Sequence, residues 1–290
     1  MAAEELWPGL WGPPPPHDVP FEKPDPPAGT CASRHLAMVL AYDGGPFAGW
    51  QVQPGKRTVQ GEVEAVLARL CDHPVRVHGS GRTDAGVHAW GQVASFATAS
   101  CLAPQRMLKA LAALLPPEIY PRALSEVPQE FHARYSVRAK TYDYFLWPAT
   151  GPALFLRGRL WPLARELDAR LVRQALAVLP GERDLAAFAS RNAEAGSDGS
   201  TVRRILEARL DEGPRGLWRI RLTATGFLRH VVRNLVGSLA QVGWGGLAPS
   251  AIPEMLKAGR RLHPGPKSPA CGLYLNRVYY GTWPGVPKLT

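Results

Sequence analysis

Cysteine is scarce in this 290-residue chain: Cys31, Cys71, Cys101 and Cys271 lie far apart and form neither a C-x-x-C pair nor a close Cys/His pair. That spacing argues against a structural zinc site and a disulfide framework, and points to a reducing compartment. No stretch reaches about 18 consecutive apolar residues, so no membrane-spanning helix is predicted. Residues 1–11 carry Glu4 and Glu5 but no basic residue and no apolar core, which resembles neither a signal nor a transit peptide. The expected location is the cytoplasm. Acids are also in short supply, 24 Asp and Glu against 34 Lys and Arg, for a net charge of +10. With 46% hydrophobic and 20% charged residues the composition is that of a globular protein and excludes wholesale disorder. At about 150 residues per domain, the length suits one large domain or two ordinary ones.

The charge is unevenly placed. Residues 1–30 hold Glu4, Glu5, Asp18, Glu22 and Asp25 against Lys23 alone, with nine of the 29 prolines. This net −4 segment is predicted to be an extended, largely disordered leader. Removing its −4 from the total of +10 leaves +14 for the remainder. From Gly213 onward Glu254 is the sole acid among eleven bases, so the last 78 residues are net +10. Of the 34 bases 27 are Arg, the side chain suited to bidentate phosphate contact and stacking. A nucleic-acid partner is expected, although a GC-rich coding sequence would also enrich Arg.

Periodicity outlines the elements. Residues 35–42 form a short apolar run, predicted as a buried strand and broken by the turn chemistry of Asp43-Gly44-Gly45-Pro46. After Thr58 as N-cap, Val59, Val63, Val66, Leu67 and Leu70 recur at helical spacing, with Glu62 and Glu64 in the early turns. Strand regions follow at 75–77 and 87–96, then a helix from Pro104 that is stopped by Pro116-Pro117. In the second half, 141–147 alternates as a strand, and Leu167 to Leu179 mark a helix ended by Pro180-Gly181. Residues 202–210 and 217–225 are predicted as paired strands, with Ile220, Leu222 and Ala224 facing in and Arg219, Arg221 and Thr223 facing out. A helix is predicted over 227–242 and a last strand over 273–280. Strands and helices without strict alternation favour an α+β protein of two halves joined near 135–150.

The sharpest motif is Gly79-Ser80-Gly81-Arg82-Thr83-Asp84-Ala85-Gly86-Val87-His88-Ala89. Three glycines in eight residues require a backbone that turns tightly or approaches something closely. No Gly-Lys-Ser/Thr follows as in a P-loop, Asp84 takes the place of the last Gly of a dinucleotide fingerprint, and His78 stands where a nucleophile elbow needs Gly. No H-E-x-x-H frames His78 or His88 as zinc ligands. Asp84 is the only acid between Asp72 and Glu118, and Arg76, Arg82, Arg106 and Lys109 are its neighbours in sequence. A carboxylate facing cations stays ionised, as a carboxylate nucleophile must, while an Asp that caps nearby loop N–H groups fits the composition equally well. Arg229 and Arg233, four apart on the predicted 227–242 helix, are like charges that either share an anion, a phosphate or a distant carboxylate such as Asp84, or are simply two solvated arginines.

Taken together the residues resemble the tRNA pseudouridine synthase A family. Besides 79–89, the blocks Tyr42-Asp43-Gly44, Gly49-Trp50-Gln51, Thr58-Val59-Gln60, Phe131-His132-Ala133-Arg134, Lys140-Thr141-Tyr142-Asp143-Tyr144, Thr201-Val202-Arg203, His230-Val231-Val232-Arg233-Asn234-Leu235-Val236-Gly237 and Gly272-Leu273-Tyr274-Leu275 resemble that family's blocks in order. The match runs from residue 35 to 281, with Ser80 where the family often has Ala. The resemblance implies two similar α/β-sandwich halves with mixed, mainly antiparallel sheets flanking a central basic cleft. Its expected divisions are a Pro-rich leader over 1–33, an N-terminal α+β domain with the Asp loop over 34–140, and a C-terminal α+β domain over 141–290. It implies isomerisation of uridine to pseudouridine in the anticodon stem-loop of tRNA, without cofactor or metal, by a homodimer in which one tRNA contacts both subunits. Asp84 matches the catalytic aspartate and Arg82 the arginine two residues before it. Tyr142 matches the tyrosine that stacks on the target base, and Arg233 the arginine paired with the catalytic carboxylate. A non-catalytic RNA-binding module on the same scaffold is the alternative.

Overall fold

A computed structural model describes residues 33–147, 156–190, 200–213, 216–263 and 265–281. The leader expected over 1–33 falls, but for Ser33, outside them. The described chain divides into two compact units, 33–138 with 275–281, and Ala139–Tyr274. The final strand thus lies with the N-terminal residues rather than with 141–274.

The first unit contains β1 (Arg34–Tyr42), α1 (Val59–Cys71), β2 (His78–Gly79), β3 (His88–Thr98), α2 (Pro104–Leu114), β4 (Ile119–Val127) and most of the C-terminal strand β10 (Leu273–Tyr280). Its strand order is β4-β1-β3-β10, with β2 paired to β3. The β1–β3, β1–β4 and β2–β3 pairs are antiparallel. β1, between β4 and β3 in the sheet, is buried on both faces, with Leu36, Met38 and Leu40 on one and Ala37, Val39 and Ala41 on the other. This explains why its sequence is a continuous apolar run rather than an alternating one. The hydroxyl of Thr58 caps α1 by accepting the Gly61 N–H at 3.3 Å, and Pro104 opens α2. No strand forms at 75–77; only His78–Gly79 pairs with β3.

The second unit holds most of β5 (Val137–Trp147), with β6 (Trp161–Pro162), α3 (Ala169–Ala177), β7 (Gly181–Asp184), β8 (Val202–Glu212), β9 (Trp218–Ala224), α4 (Val231–Gly243) and α5 (Ala251–Ala258). Strand order is β5-β9-β8-β7, with β6 parallel to β5. The β5–β9, β8–β9 and β7–β8 pairs are antiparallel. Each unit therefore combines a mainly antiparallel sheet with helices, in a mixed α+β fold.

Three expectations need correction here. Arg219 and Thr223 on β9 are buried rather than outward and solvated, because ion pairs roof that face. Arg219 meets Asp211 at 2.7 Å, and Arg221 grips Asp143 through two 2.7 Å bonds from neighbouring strands. The 227–242 helix begins only at Val231, because His230 sits in the left-handed region at φ 68°. Arg229 thus precedes the helix instead of sharing a face with Arg233. Among the cysteines, Cys71 and Cys271 are free thiols. Cys101 is disulfide-bonded, which the wide spacing did not anticipate. No helix among the described residues is long and apolar enough to cross a membrane.

Candidate active site

The Asp84 loop hangs between two strands of the first unit. His78 and Gly79 pair with Ser95 and Ala94 of β3, and the Ser80 N–H donates to the Val93 carbonyl at 2.7 Å. The chain then leaves the sheet and returns at His88. Its turn is closed by the Val87 N–H donating to the Asp84 carbonyl at 3.1 Å, with Gly86 at φ 77° in the third position. A left-handed residue there is what a type II turn requires.

The floor of the loop is backbone. Gly49, at φ 103°, is so close that a Cβ on it would lie 2.7 Å from the Thr83 carbonyl oxygen and 3.2 Å from the Asp84 carbonyl carbon. The next residue, Trp50, donates its N–H to the Thr83 carbonyl at 3.0 Å and accepts from the Gln60 N–H on α1 at 3.0 Å. The α1 N-terminus and the loop are thereby tied through one short segment.

Beneath the loop runs a buried polar network. Ser80 Oγ donates to Gln92 Oε1 at 2.6 Å, and Gln92 Nε2 donates to the Gly81 carbonyl at 2.9 Å and, at 3.5 Å, to Tyr42 Oη. Tyr42 Oη lies 2.9 Å from Thr83 Oγ1. All four side chains are buried. Burial pushes the Tyr42 phenol up to about 12, with the Thr83 and Gln92 hydrogen bonds opposing. Burial likewise raises the Tyr280 phenol, opposed by Ser80, and its hydroxyl donates to the Ala133 carbonyl at 2.8 Å. Both phenols therefore stay neutral, and Gly81 and Thr83 are pinned on either side of Arg82, with Thr83 immediately before Asp84.

Asp84 is half-buried on this supported turn and Arg82 is exposed beside it. The two share one loop, as expected. Arg76, one of the cations offered by sequence proximity, pairs with Glu64 on α1 at 3.6 Å. A carboxylate whose backbone is held from below and from both sides has its position set before any substrate arrives, which suits nucleophilic or general-base chemistry.

Tyr142 and Arg233 belong to the second unit. Tyr142 sits mid-strand on β5 opposite Leu222, is 9% exposed, and meets Phe227 edge-on at 5.2 Å. Arg233 lies in the first turn of α4. Its Nε–H donates to the Ser268 carbonyl at 2.8 Å, while the Ser268 N–H donates to the Arg233 carbonyl at 3.2 Å. Alongside, Tyr144 Oη donates to the Pro269 carbonyl at 2.8 Å. Burial drives the Tyr144 phenol far above its ordinary range, and the Arg233 charge opposes that rise. The 265–269 segment can come so near α4 because residue 237 is glycine: a Cβ there would fall 1.6 Å from the Pro266 carbonyl oxygen.

Gln92 has no place in the sequence reading of the site, and Tyr42, Gly49 and Thr83 enter it only within motif blocks, with no role of their own. The available signal was Gln92, a polar side chain inside the 87–96 strand, since a buried amide in a strand demands partners.

The family model for tRNA pseudouridine synthase matches residues 38–136 and 175–281. A tRNA pseudouridine synthase A of Solidesulfovibrio magneticus is 44% identical over 264 residues, covering 88% of this chain and 93% of its own. Its counterpart in Geobacillus kaustophilus is 41% identical over 250 residues, 86% of this chain and 95% of that one. The counterpart in Moorella thermoacetica is 40% identical over 251 residues, 84% and 99%. Blocks spread over both units, in the same order and over nearly the full length of these relatives, place the chain in the tRNA pseudouridine synthase family.

Proposed function

We propose that the protein converts uridine to pseudouridine in the anticodon stem-loop of tRNA, with Asp84 as nucleophile. The observation that carries this assignment is the loop itself: a single acid, isolated in a basic stretch, mounted on a turn buttressed by Gly49 and by the Tyr42, Thr83, Gln92 and Ser80 network. The reaction breaks the N1–C1′ bond, turns the uracil and forms a C5–C1′ bond. The C5 hydrogen departs as a proton and N1 ends protonated, so atoms and electrons balance without an oxidant or reductant. What the chemistry needs is a carboxylate able to attack the sugar or the base, which is the role of Asp84.

A base inside a helix is out of reach, so the target nucleotide must flip out, at a cost of a few kcal/mol. In this proposal Arg82 fills the vacated position or grips the flipped nucleotide's phosphate. Tyr142 supplies an aromatic face for the uracil, worth on the order of 1–3 kcal/mol per base. Arg233 is the cation that keeps the nucleophile ionised and oriented. Much of the arginine surplus serves phosphate contact, and recognition depends mainly on tRNA shape. A cytoplasmic homodimer, with one tRNA touching both subunits, completes the proposal.

Tritium release from tRNA labelled at uracil C5 tests it directly, because that hydrogen is expelled when C5 becomes the glycosidic carbon. Release above background is expected; its absence with several tRNAs overturns the enzymatic assignment. Asp84→Asn separates the alternative of a non-catalytic RNA-binding module: the enzyme keeps its tRNA affinity and loses turnover.

A further inference from the structure

Residues 131–136, between β4 and β5 in the first unit, are locked from several directions. Phe131 is buried against the Tyr280 ring at 5.0 Å. The Ala133 N–H donates to Ser95 Oγ at 3.1 Å and its carbonyl accepts from Tyr280 Oη at 2.8 Å. The Ser136 N–H closes a turn on the His132 carbonyl at 3.0 Å, and the His132 N–H returns to Ser136 Oγ at 3.1 Å. His132 Nδ1 accepts from the N–H groups of both Arg134, at 3.0 Å, and Tyr135, at 3.4 Å.

This rigid turn presents Tyr135 at 75% exposure, a large ring held out in water by a segment that has no slack. The ring is not isolated. Tyr135 lies 4.4 Å from the His132 ring at 38°, and His132 lies 5.1 Å from the His78 ring at 43°. His78 immediately precedes the 79–89 loop and is itself exposed, so the three rings form a surface strip from the foot of the Asp84 loop to Tyr135. The Arg134 guanidinium is 5.8 Å from the Tyr135 centroid and is itself exposed. His132 is held neutral: its Nδ1 is occupied as an acceptor, and burial, then His78 and Arg134, lower its pKa. An uncharged imidazole behind the phenol continues an aromatic surface instead of breaking it with a second cation.

An open aromatic face on a pre-ordered backbone, with a cation beside it, has the features of a platform for a nucleobase and its phosphate. We infer that Tyr135, backed by His132 and His78, stacks an unpaired base of the RNA substrate outside the Asp84 loop, with Arg134 meeting the adjoining phosphate. The inference rests on tRNA being the substrate, and it assigns a contact separate from the base that reacts.

The test uses the full-length protein and unmodified tRNA, with affinity measured across a salt series and tritium release measured on the same preparations. Tyr135→Ala is expected to weaken tRNA binding about 5- to 150-fold while leaving the salt slope unchanged. Tyr135→Phe should stay within about twofold of the parent, since the ring face is retained. Arg134→Ala should flatten the slope by roughly 0.7 to 0.9, the contribution of one phosphate. Unchanged affinity in Tyr135→Ala, with tritium release intact, overturns the inference and leaves the proposed function standing. A Tyr135→Ala variant that falls from dimer to monomer with unaltered tRNA affinity overturns it too, and assigns the ring to a second copy of the chain. Absence of release from the parent protein counts against the proposed function instead.

Discussion

Gly49 lies directly beneath Asp84, with room for a hydrogen and for nothing larger. Its φ of 103° adds a second barrier, since L side chains rarely adopt that backbone conformation. Gly49→Ala is expected to introduce about 1–3 kcal/mol of strain, relieved by pushing the Thr83–Asp84 peptide upward. A displacement near 1 Å lowers turnover on the order of 100-fold. Single-turnover tritium release against tRNA affinity checks this: affinity held within a few-fold with a collapsed rate is the expected result, and a normal rate contradicts it.

The Tyr42 phenol makes the loop sensitive to alkali. Its folded pKa of about 12 lies above the ordinary value of 10.0, so the neutral form is favoured by folding. That stability is fully present below pH 10 and is lost as pH rises toward 12, roughly 3 kcal/mol for two units of displacement. Urea unfolding at pH 9 and again between pH 11 and 12 should show a steeper decline for the parent than for Tyr42→Phe. Parallel declines would remove Tyr42 from the account.

Asp143 is 1% exposed and takes both of its 2.7 Å bonds from Arg221, whose pKa rises because these contacts outweigh the cost of burial. Asp143→Ala removes both of these hydrogen bonds, leaving the guanidinium only the charges of Glu207 and Asp211, and is expected to cost about 3 kcal/mol. The double replacement Asp143→Leu with Arg221→Met should recover much of the loss, because no charge is then stranded. Denaturant midpoints of the single and double variants decide the matter.

Tyr142 is expected to act through its ring face. Tyr142→Ala should cut turnover sharply, and Tyr142→Phe should retain a substantial part of it. Equal rates in all three proteins would make Tyr142 a packing residue, the role its contact with Phe227 already provides.

Local chemistry made α1, α2 and β1 legible: Thr58 as a cap, Pro104 as an opening residue, and an apolar run long enough for a doubly flanked strand. β4 was missed because Pro121 interrupts its pattern. It is tolerated since β4 ends the strand order and the register shifts there, with Val39 opposite Ala123 and Leu40 opposite Pro121. α5 escaped notice for a similar reason, its Pro253 falling within the first turn. The start of α4 was misplaced because apolar spacing continues through Phe227 and Leu228, whereas His230 takes a left-handed conformation that periodicity does not encode. Of the site, Asp84 stood out by its isolation among bases. Its supports did not, because Tyr42 and Gln92 are 50 residues apart and meet only through the antiparallel pairing of β1 with β3.

The 265–269 segment is held by its main chain. Arg233 and Ser268 exchange hydrogen bonds through backbone groups on the segment side, Tyr144 reaches the Pro269 carbonyl, and Arg261 donates to the Gly265 carbonyl at 2.6 Å. Pro266 and Lys267 meanwhile point their side chains into solvent. At position 267 path and side-chain identity are thereby uncoupled: the lysine can be exchanged, altering the local charge offered to an anionic partner, while the backbone contacts that set Arg233 stay as they are.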